Sequence, residues 1–356
     1  MHRFLLSTLC LAALARSTPL PQVKKSCQRY TLPLNITSLN LKWALEPLET
    51  NEGAAAYNTQ TGRRDAQSVF HPVTLPTTPE TAIYTISGTF CQPTSGGNGT
   101  VLLATHGGGY DRSYWHPSIQ PESYSFVDYA VAQGYPIFYY DRLGLGQSEM
   151  VSGYVAQSSI HASIIKELIK LLRSDKFGSP ASKVALIGHS MGSAYSNSVL
   201  NSDPGLVDAA ILTGIAYNIT SKGIADQAKQ SRLAKLQNPL KWGDLDGGWT
   251  VWVDVYSNIE NFFKAPFYDR EVVQWAEDNK QPSALMEGIS IQITNFSSPD
   301  FTGPVMIMSG EYDFIVCGGY CPGVLEEKTT AVFPASKNLV TYVQPGSGHG
   351  INFAVR

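Results

Sequence analysis

Short runs of apolar residues recur along the chain, and most of them are followed by a glycine-containing segment. Runs of this length, bounded by glycine or proline, are typical of buried strands. Strands are predicted at 101–105, 135–140, 184–187, 209–212, 305–308 and 339–343. Helices are predicted between them at 124–133, 158–172 and 193–200. This alternation predicts an α/β fold with a mostly parallel central sheet flanked by helices, and functional sites beyond the C-terminal ends of the strands.

Two stretches interrupt the alternation. Residues 16–80 predict an irregular N-terminal arm that packs on the core and contains one edge strand, whereas residues 81–91 alternate with the period of a strand and predict an antiparallel pair with the next segment. Residues 216–300, called the insertion below, are rich in aromatic side chains and contain helical stretches at 221–237 and 270–278. We interpret the insertion as a helical cap, or lid, on a core formed by 81–215 and 301–356. The alternative is that its aromatic residues only pack it onto the core.

Composition bounds the protein further. The length of 356 residues predicts one large domain with an insertion. The net charge is -3 and the sequence has no basic stripe, which argues against a nucleic-acid partner. Residues 1–15 have a basic start, an apolar stretch and small residues near Ala15, a pattern typical of a signal peptide. A buried N-terminal helix is the alternative. Because no later segment is long and apolar enough for a membrane span, we expect a secreted protein.

The cysteines and glycosylation motifs agree with export. Cys10 would leave with the signal peptide; the remaining cysteines are Cys27, Cys91, Cys317 and Cys321. Three pairings are possible, and sequence proximity favours Cys317 with Cys321, which leaves Cys27 with Cys91. A metal site from these cysteines is the weaker alternative, because Cys27 and Cys91 are isolated from one another and from any histidine pair. Asn-X-Ser/Thr motifs predict glycosylation at Asn35, Asn98, Asn218 and Asn295.

Ser190 is the candidate nucleophile. Gly188, Ser190 and Gly192 form a G-x-S-x-G motif between the predicted strand 184–187 and a predicted helix. The motif is typical of a serine held on a strained strand-to-helix turn, and the helix N-terminus favours an anion that develops beside it. By itself the motif can also occur by chance in a glycine-rich chain.

A glycine loop at residues 106–110, His-Gly-Gly-Gly-Tyr, directly follows the predicted strand 101–105. Consecutive glycines leave backbone N–H groups uncovered, and such groups can bind an oxyanion. Gly108, Gly109 and Met191, the residue after Ser190, are therefore the predicted oxyanion-hole donors. A flexible turn is the alternative.

A serine nucleophile needs a base, and the base needs an acid to orient it. His349 follows the last predicted strand and is the candidate base; Asp313 follows the strand before it and is the candidate acid, with Glu311 in reserve. The glycines of 141–148 do not fit the G-x-G-x-x-G spacing of a dinucleotide site. No metal or organic cofactor is indicated.

The chain resembles the α/β-hydrolase superfamily from about residue 81 to the C-terminus. The resemblance lies in these motifs and in their order along the chain, which is glycine loop, Ser190, Asp313 and His349. The runs 106–115 and 140–144 are similar to secreted fungal α/β-hydrolases of the esterase/lipase type. The resemblance implies a serine hydrolase that works through an acyl-enzyme. The chain departs from the best-known carboxylesterases in being short, and from hormone-sensitive-lipase-like enzymes in having the 141–148 motif.

The sequence predicts a secreted enzyme that cleaves a small-molecule carboxylic ester, with an apolar substrate favoured by the aromatic insertion. The same triad could instead cleave a lactone, a peptide or a C–C bond, or perform a lyase step in secondary metabolism. A non-catalytic binding protein is disfavoured because all three triad members are present. An aspartate nucleophile is disfavoured because the motif carries Ser190.

Overall fold

The computed structural model describes residues 24–218 and 227–355; the predicted signal peptide and Cys10 lie outside this part of the chain. An eight-stranded sheet forms its centre, in the order β1-β4-β6-β5-β7-β8-β12-β13. The strands are β1 Lys25–Ser38, β2 Lys42–Trp43, β3 Val73–Thr74, β4 Glu80–Pro93, β5 Thr100–Thr105, β6 Ile137–Tyr140, β7 Lys183–His189, β8 Ala209–Thr213, β9 Arg232–Leu233, β10 Trp249–Val251, β11 Ser283–Ala284, β12 Val305–Gly310 and β13 Leu339–Gln344. The strands from β6 to β13 in this order run parallel, whereas β1 and β4 are antiparallel to their neighbours.

Helices cover both faces of this sheet. They are α1 Asn51–Thr61, α2 Ala66–Val69, α3 Pro121–Tyr124, α4 Phe126–Ala132, α5 Ser158–Leu172, α6 Met191–Ser202, α7 Ala234–Gln237, α8 Pro239–Trp242, α9 Val255–Phe262, α10 Arg270–Asp278, α11 Leu285–Gln292, α12 Phe314–Cys317 and α13 Val324–Val332. The central strand β7 shows why two layers are needed. Val184 and Leu186 point into one apolar cluster with α5 and α6, while Ala185 and Ile187 point into a second cluster on the opposite face. Successive side chains of a strand face opposite sides, so a central strand that is apolar throughout requires cover on both.

The N-terminal arm is more regular than predicted. Its edge strand β1 is 14 residues long, and Leu32, Leu34 and Ile36 are buried at alternate positions against α5. The prediction that strand 81–91 pairs with the next segment is wrong: β4 pairs with β1 and β6, and β5 lies on the far side of β6. Pairing choices depend on which faces the rest of the sheet buries, which local alternation does not specify.

The insertion contains strands as well as helices. Strands β9, β10 and β11 form a three-stranded antiparallel sheet, which contacts the helices α7 and α11; the insertion also contains α8, α9 and α10. The predicted helix 270–278 is confirmed as α10. Of the predicted helix 221–237, the described residues include the strand β9 and the short helix α7.

Two disulfides link the described residues. Cys27 is bonded to Cys91 across the β1–β4 pair, and Cys317, the last residue of α12, is bonded to Cys321 in the loop that follows. These are the pairings that sequence proximity favours. Because all four sulfurs are in disulfides, none is available as a thiolate ligand, and the alternative cysteine metal site is excluded. No helix in the described ranges is long and apolar enough to cross a bilayer.

Candidate active site

Ser190 occupies a sharp corner between β7 and α6. Its backbone has φ +53° and ψ -117°, a conformation that non-glycine residues rarely adopt. A Cβ on Gly188 would lie 2.5 Å from the Cα of Ser193, and one on Gly192 would lie 2.1 Å from the carbonyl oxygen of Thr105. The corner can therefore form only because both neighbouring positions lack side chains. Ser190 itself remains partly exposed.

Asp313 and His349 form a buried pair at the ends of neighbouring strands. Asp313 follows β12 and His349 follows β13, and the His349 Nδ1 lies 2.7 Å from Asp313 Oδ2. The other carboxylate oxygen of Asp313 accepts hydrogen bonds from the N–H groups of Ile315 and Val316, each at 3.0 Å. The carboxylate is thus held from two sides and fixes the proton of His349 on Nδ1.

The second nitrogen of this histidine is free. Nε2 of His349 is buried and has no hydrogen-bond partner among the described residues, and as the unprotonated nitrogen it can accept a proton. The ring centre of His349 lies 4.9 Å from that of His189, the residue before Ser190. A Cβ on Gly214, just after β8, would lie 3.0 Å from His349 Cε1 and 2.8 Å from His189 Cε1, so the two rings pack closely against this glycine.

The reserve acid Glu311 has a different partner from Asp313. Its carboxylate accepts a hydrogen bond from the N–H of Gly346 at 2.9 Å.

The glycine loop lies directly against Ser190. A Cβ on Gly107 would lie 2.9 Å from Ser190 Cβ, and one on Gly108 would lie 2.7 Å from the sulfur of Met191. Gly109 has φ +77° and lies under the ring of Trp252, which a Cβ would approach to 2.1 Å. The N–H of Met191 is at the first position of α6, where helical N–H groups have no acceptor in their own helix. Gly108 and Met191 thus lie together beside Ser190.

A buried polar network lies behind the glycine loop. Arg142 donates from Nη2 to the carbonyl oxygen of Gly107 at 3.2 Å, and it pairs through Nη1 with Glu287 of α11. The ring of His106 contacts the same Gly107 oxygen, with Nδ1 at 2.9 Å. Burial, with the charge of Arg142 adding to it, holds the pKa of His106 well below its ordinary value, so this histidine is neutral.

Sequence reasoning missed Arg142 and Glu287 as members of the site. Arg142 follows β6 inside the 141–148 motif, and a basic residue directly after a parallel strand was a usable signal. Glu287 lies at residues 285–292 of the insertion, and nothing in this local sequence distinguishes it from a surface glutamate.

The insertion packs on both halves of the site. Trp252 covers Gly109, and the carbonyl oxygen of Gly109 accepts from the N–H of Gln281 at 3.0 Å. On the other side, the ring of Phe262 is 5.5 Å from that of His349, and its carbonyl oxygen accepts from the N–H of Gly350 at 2.8 Å. The insertion therefore covers the histidine.

Four residues around the candidate nucleophile are only partly buried: Gly108, Ser190 itself, Met191 and Ser283. The hydroxyl oxygen of Ser283 would be 3.3 Å from a Cβ on Gly108, so this residue of the insertion lies at the rim of the glycine loop.

The predicted glycosylation sites differ in their surroundings. Asn35, Asn98 and Asn295 are exposed, whereas Asn218 is half-buried and its amide donates to Glu327. The side-chain oxygens of Asn98 and Asn295 each accept, at 3.0 Å, the N–H of the residue two positions later. Within the described residues, no group of three or more histidine, cysteine or acidic side chains could hold a metal ion.

One protein family matches more than half of the sequence. The profile of the Hydrolase_4 family, described as "Serine aminopeptidase, S33", matches residues 123–320. The matched part includes Ser190 and Asp313 and ends before His349. No curated protein matches the sequence closely enough to count as a relative.

Solved structures share the fold. A thermophilic esterase from Thermogutta terrifontis aligns with a TM-score of 0.53 and 16% identity over 75% of this chain and 87% of its own. The protein Rv0554 from Mycobacterium tuberculosis aligns with a TM-score of 0.52 and 17% identity, over 75% of this chain and 88% of its own. An E-2-(acetamidomethylene)succinate hydrolase aligns with a TM-score of 0.50 and 17% identity, over 76% and 90%. At such identities the likeness concerns the fold alone, and the predicted α/β-hydrolase architecture is confirmed.

Proposed function

Because the chain belongs to the Hydrolase_4 family of α/β-hydrolases, we propose that it is a serine hydrolase that cleaves carboxylic esters with Ser190, His349 and Asp313. One observation carries the proposal. His349 is held through Nδ1 by Asp313 at 2.7 Å, its buried Nε2 has no hydrogen-bond partner among the described residues, and its ring lies 4.9 Å from that of His189, which directly precedes Ser190. An orienting acid, a free basic nitrogen and an adjacent partly exposed hydroxyl are what an activated serine requires.

In the proposed mechanism, His349 Nε2 takes the Ser190 proton while the serine oxygen forms a bond to the ester carbonyl carbon. The carbonyl electron pair moves to its oxygen, which accepts hydrogen bonds from the N–H groups of Met191 and of Gly108 or Gly109. Collapse breaks the bond to the alcohol oxygen, which receives the proton from His349, and leaves an acyl-enzyme. Water repeats the sequence and releases the acid. Losing one oxyanion donor in such a site typically costs roughly 3 kcal/mol of transition-state stabilisation.

An apolar ester is the proposed substrate class. The insertion places aromatic residues close to the site, among them Trp252 and Phe262, whose rings pack 5.2 Å apart and supply apolar surface. Lactone, C–C bond or lyase chemistry uses the same triad. Peptide cleavage is the second candidate, since the family description names an aminopeptidase. A panel of 4-nitrophenyl esters, lactones and aminoacyl 4-nitroanilides separates these activities, and an ester hydrolase turns over the first series fastest.

The nucleophile is tested directly. A fluorophosphonate is expected to label the wild-type protein at Ser190, and Ser190→Ala is expected to lose both labelling and ester turnover with an unchanged melting temperature. Peptide mapping of the adduct and steady-state kinetics give these readouts. Wild-type turnover by the alanine variant would contradict the proposal, and absence of any turnover or labelling in the wild type would favour the non-catalytic alternative.

We also propose that the protein is secreted, like the fungal enzymes that it resembles, with its signal peptide removed near Ala15. The two disulfides support this localisation, because such bonds persist in oxidising compartments. Expression in a eukaryotic secretory host, followed by N-terminal sequencing and enzymatic deglycosylation, tests the cleavage and the use of Asn35, Asn98, Asn218 and Asn295. An intact N-terminus on protein found only inside the cell would contradict it.

A further inference from the structure

A buried ion pair behind the glycine loop takes part in none of the proton transfers of the proposed mechanism. Arg142 follows β6 in the core, and Glu287 lies in α11 of the insertion; both side chains are fully buried. Glu287 Oε1 also accepts from the hydroxyl of Tyr195 at 3.1 Å and lies 2.8 Å from Nε2 of His161. Buried ion pairs often add little to stability, because desolvation offsets their attraction. Stability alone is therefore a weak explanation for this one.

The pair is connected to one peptide carbonyl of the glycine loop. The backbone N–H of Arg142 donates to Nε2 of His106 at 3.1 Å, so the ring proton of this neutral histidine is on Nδ1. His106 therefore donates from Nδ1 to the Gly107 oxygen at 2.9 Å, and Arg142 Nη2 donates to the same oxygen at 3.2 Å. Two donors on two different elements fix the direction of this carbonyl.

The direction of the carbonyl determines the direction of the next N–H. In a trans peptide the C=O of one residue and the N–H of the next point to opposite sides. Since the Gly107 oxygen points into the buried network, the Gly108 N–H points away from it. A Cβ added to Gly107 would lie 2.9 Å from Ser190 Cβ, and one added to Gly108 would lie 2.7 Å from the sulfur of Met191. The Gly107–Gly108 peptide therefore lies directly against both residues.

We propose that Arg142 is a positioning residue, held in place by Glu287, that orients the Gly107–Gly108 peptide so that its N–H faces the developing oxyanion. The inference rests on the proposed function. It selects Gly108 over Gly109 as the donor from the glycine loop. The positive charge of the guanidinium beside the carbonyl oxygen also polarises the peptide. This polarisation makes the N–H a stronger donor to an anion.

The geometry requires arginine at this position. One terminal nitrogen of the planar guanidinium pairs with Glu287 while the other reaches the Gly107 oxygen, and a lysine ammonium has no such rigid fork. Because Glu287 belongs to the insertion, the insertion supports the oxyanion site from behind as well as covering the histidine.

The test uses a double variant, Arg142→Met with Glu287→Gln. It removes both charges together, so that neither is left buried and unpaired. The single amide oxygen of the glutamine can still accept from the hydroxyl of Tyr195, which bonds Oε1 of Glu287, whereas the N–H of Ala284, which bonds Oε2, loses its acceptor. The matched control is Arg173→Met. Arg173 likewise donates to backbone carbonyls and pairs with a carboxylate, Asp208, but at the opposite end of β7.

The readouts are hydrolysis of 4-nitrophenyl butyrate, inhibition by phenylboronic acid and the melting temperature. Phenylboronic acid forms a tetrahedral serine adduct that places an oxygen in the oxyanion hole. For the double variant, kcat is expected to fall about tenfold to a hundredfold, with the boronic acid affinity falling by a similar factor and KM nearly unchanged. For Arg173→Met, kcat and inhibitor affinity are expected to match the wild type even where the melting temperature falls.

A folded double variant with wild-type kcat and wild-type boronic acid affinity overturns the inference. A rise in KM with unchanged kcat does the same, because it shows only substrate binding. If the double variant does not fold, Arg142→Lys, which keeps a positive charge opposite Glu287 but lacks the rigid fork, gives the test by the same two readouts. Failure of the proposed function is recognised separately, by a wild-type protein in which fluorophosphonate does not label Ser190.

Discussion

Ser190 shows how single residues create the site. Its left-handed backbone is unfavourable for a serine, and it is kept in place by the N–H of Ser190 donating to Thr213 at 2.8 Å and by the close approaches at Gly188 and Gly192. The strain lies at the candidate nucleophile, where it directs the hydroxyl out of the sheet. The neighbouring glycines contribute space as well as conformational freedom.

Gly107 is expected to be sensitive to the smallest substitution. In Gly107→Ala the added Cβ would lie 2.9 Å from Ser190 Cβ and 3.0 Å from His189 Cδ2, so the glycine loop must shift away from the nucleophile. We expect kcat for 4-nitrophenyl butyrate to fall by roughly a hundredfold, the cost of a displaced oxyanion donor. Gly288→Ala, whose Cβ would meet nothing within 4 Å, is the control. Equal activity of the two variants would contradict the assigned packing.

Asp141 gives a pH dependence of stability. Its buried carboxylate accepts from the N–H groups of Arg112 and Gln147, but burial outweighs the attraction of Arg112 and raises its pKa to about 6, from 3.8. Between these values the folded protein binds more protons than the unfolded chain. This contribution to stability is therefore greatest below pH 4 and declines as pH rises to about 6.

The prediction is measured as a difference between the wild type and Asp141→Asn. From pH 4 to pH 6 the free energy of unfolding of the wild type is expected to fall relative to the variant by roughly 2 to 3 kcal/mol. Urea unfolding at pH 4, 5, 6 and 7 gives both curves. Parallel profiles across this range would show that Asp141 titrates at its ordinary pKa.

At the scale of elements, the site is assembled by the parallel strands. β5, β7, β12 and β13 end at the same edge of the sheet, and each is followed by one segment of the candidate site: the glycine loop, Ser190, Asp313 and His349. The insertion then contacts the first and last of these segments through Trp252 and Phe262. On the side of β11, Ser190, Met191 and Ser283 remain partly exposed.

Ser283 of β11, which is partly exposed beside Gly108, is expected to control substrate access to Ser190. In Ser283→Phe the larger side chain would occupy the rim beside Gly108 and Met191, so KM for a long-chain 4-nitrophenyl ester is expected to rise about tenfold, and for the acetate much less. Ser283→Ala, which removes the hydroxyl without adding bulk, is the control. An unchanged preference for acyl length in the phenylalanine variant would place the entrance elsewhere.

At the scale of the whole molecule, the two disulfides act on different properties. Cys27–Cys91 joins the edge strand β1 to β4 and closes a loop of 64 residues. In the sheet order β1 lies four strands and β4 three strands from β7, which precedes Ser190. Cys317–Cys321 closes only four residues and follows Asp313 directly; the N–H of Cys321 donates to the Glu311 carbonyl at 2.8 Å. Stabilisation by a cross-link grows with the loop that it closes.

The prediction is a separation of stability from activity. Cys27→Ala with Cys91→Ala is expected to lower the free energy of unfolding by roughly 4 kcal/mol with little change in kcat. Cys317→Ala with Cys321→Ala is expected to cost less stability but to lower kcat, because the loop carrying Asp313 loses its restraint. Denaturant unfolding and ester kinetics on both pairs provide the comparison, and a reversed ranking would contradict it.

Much of the fold could be predicted from the sequence. The helix 158–172 has the predicted bounds, and the predicted parallel strands are present to within a few residues. These elements are governed by local periodicity, which is visible in one sequence. The partners of β4 and the strands of the insertion were not predicted, because they depend on surfaces supplied by distant segments.

The sequence by itself determined the fold class, the order of the chemical motifs and the residue types at Ser190, Asp313 and His349. Only the tertiary structure decided which acid contacts His349 and which groups stand behind the glycine loop. Asp313 and Glu311 are two residues apart, and only the direction of the chain after β12 separates them. Arg142 and Glu287 are 145 positions apart, and burial together makes them partners. A local pattern specifies conformation, whereas long-range contacts between such distant residues are set by how the elements pack.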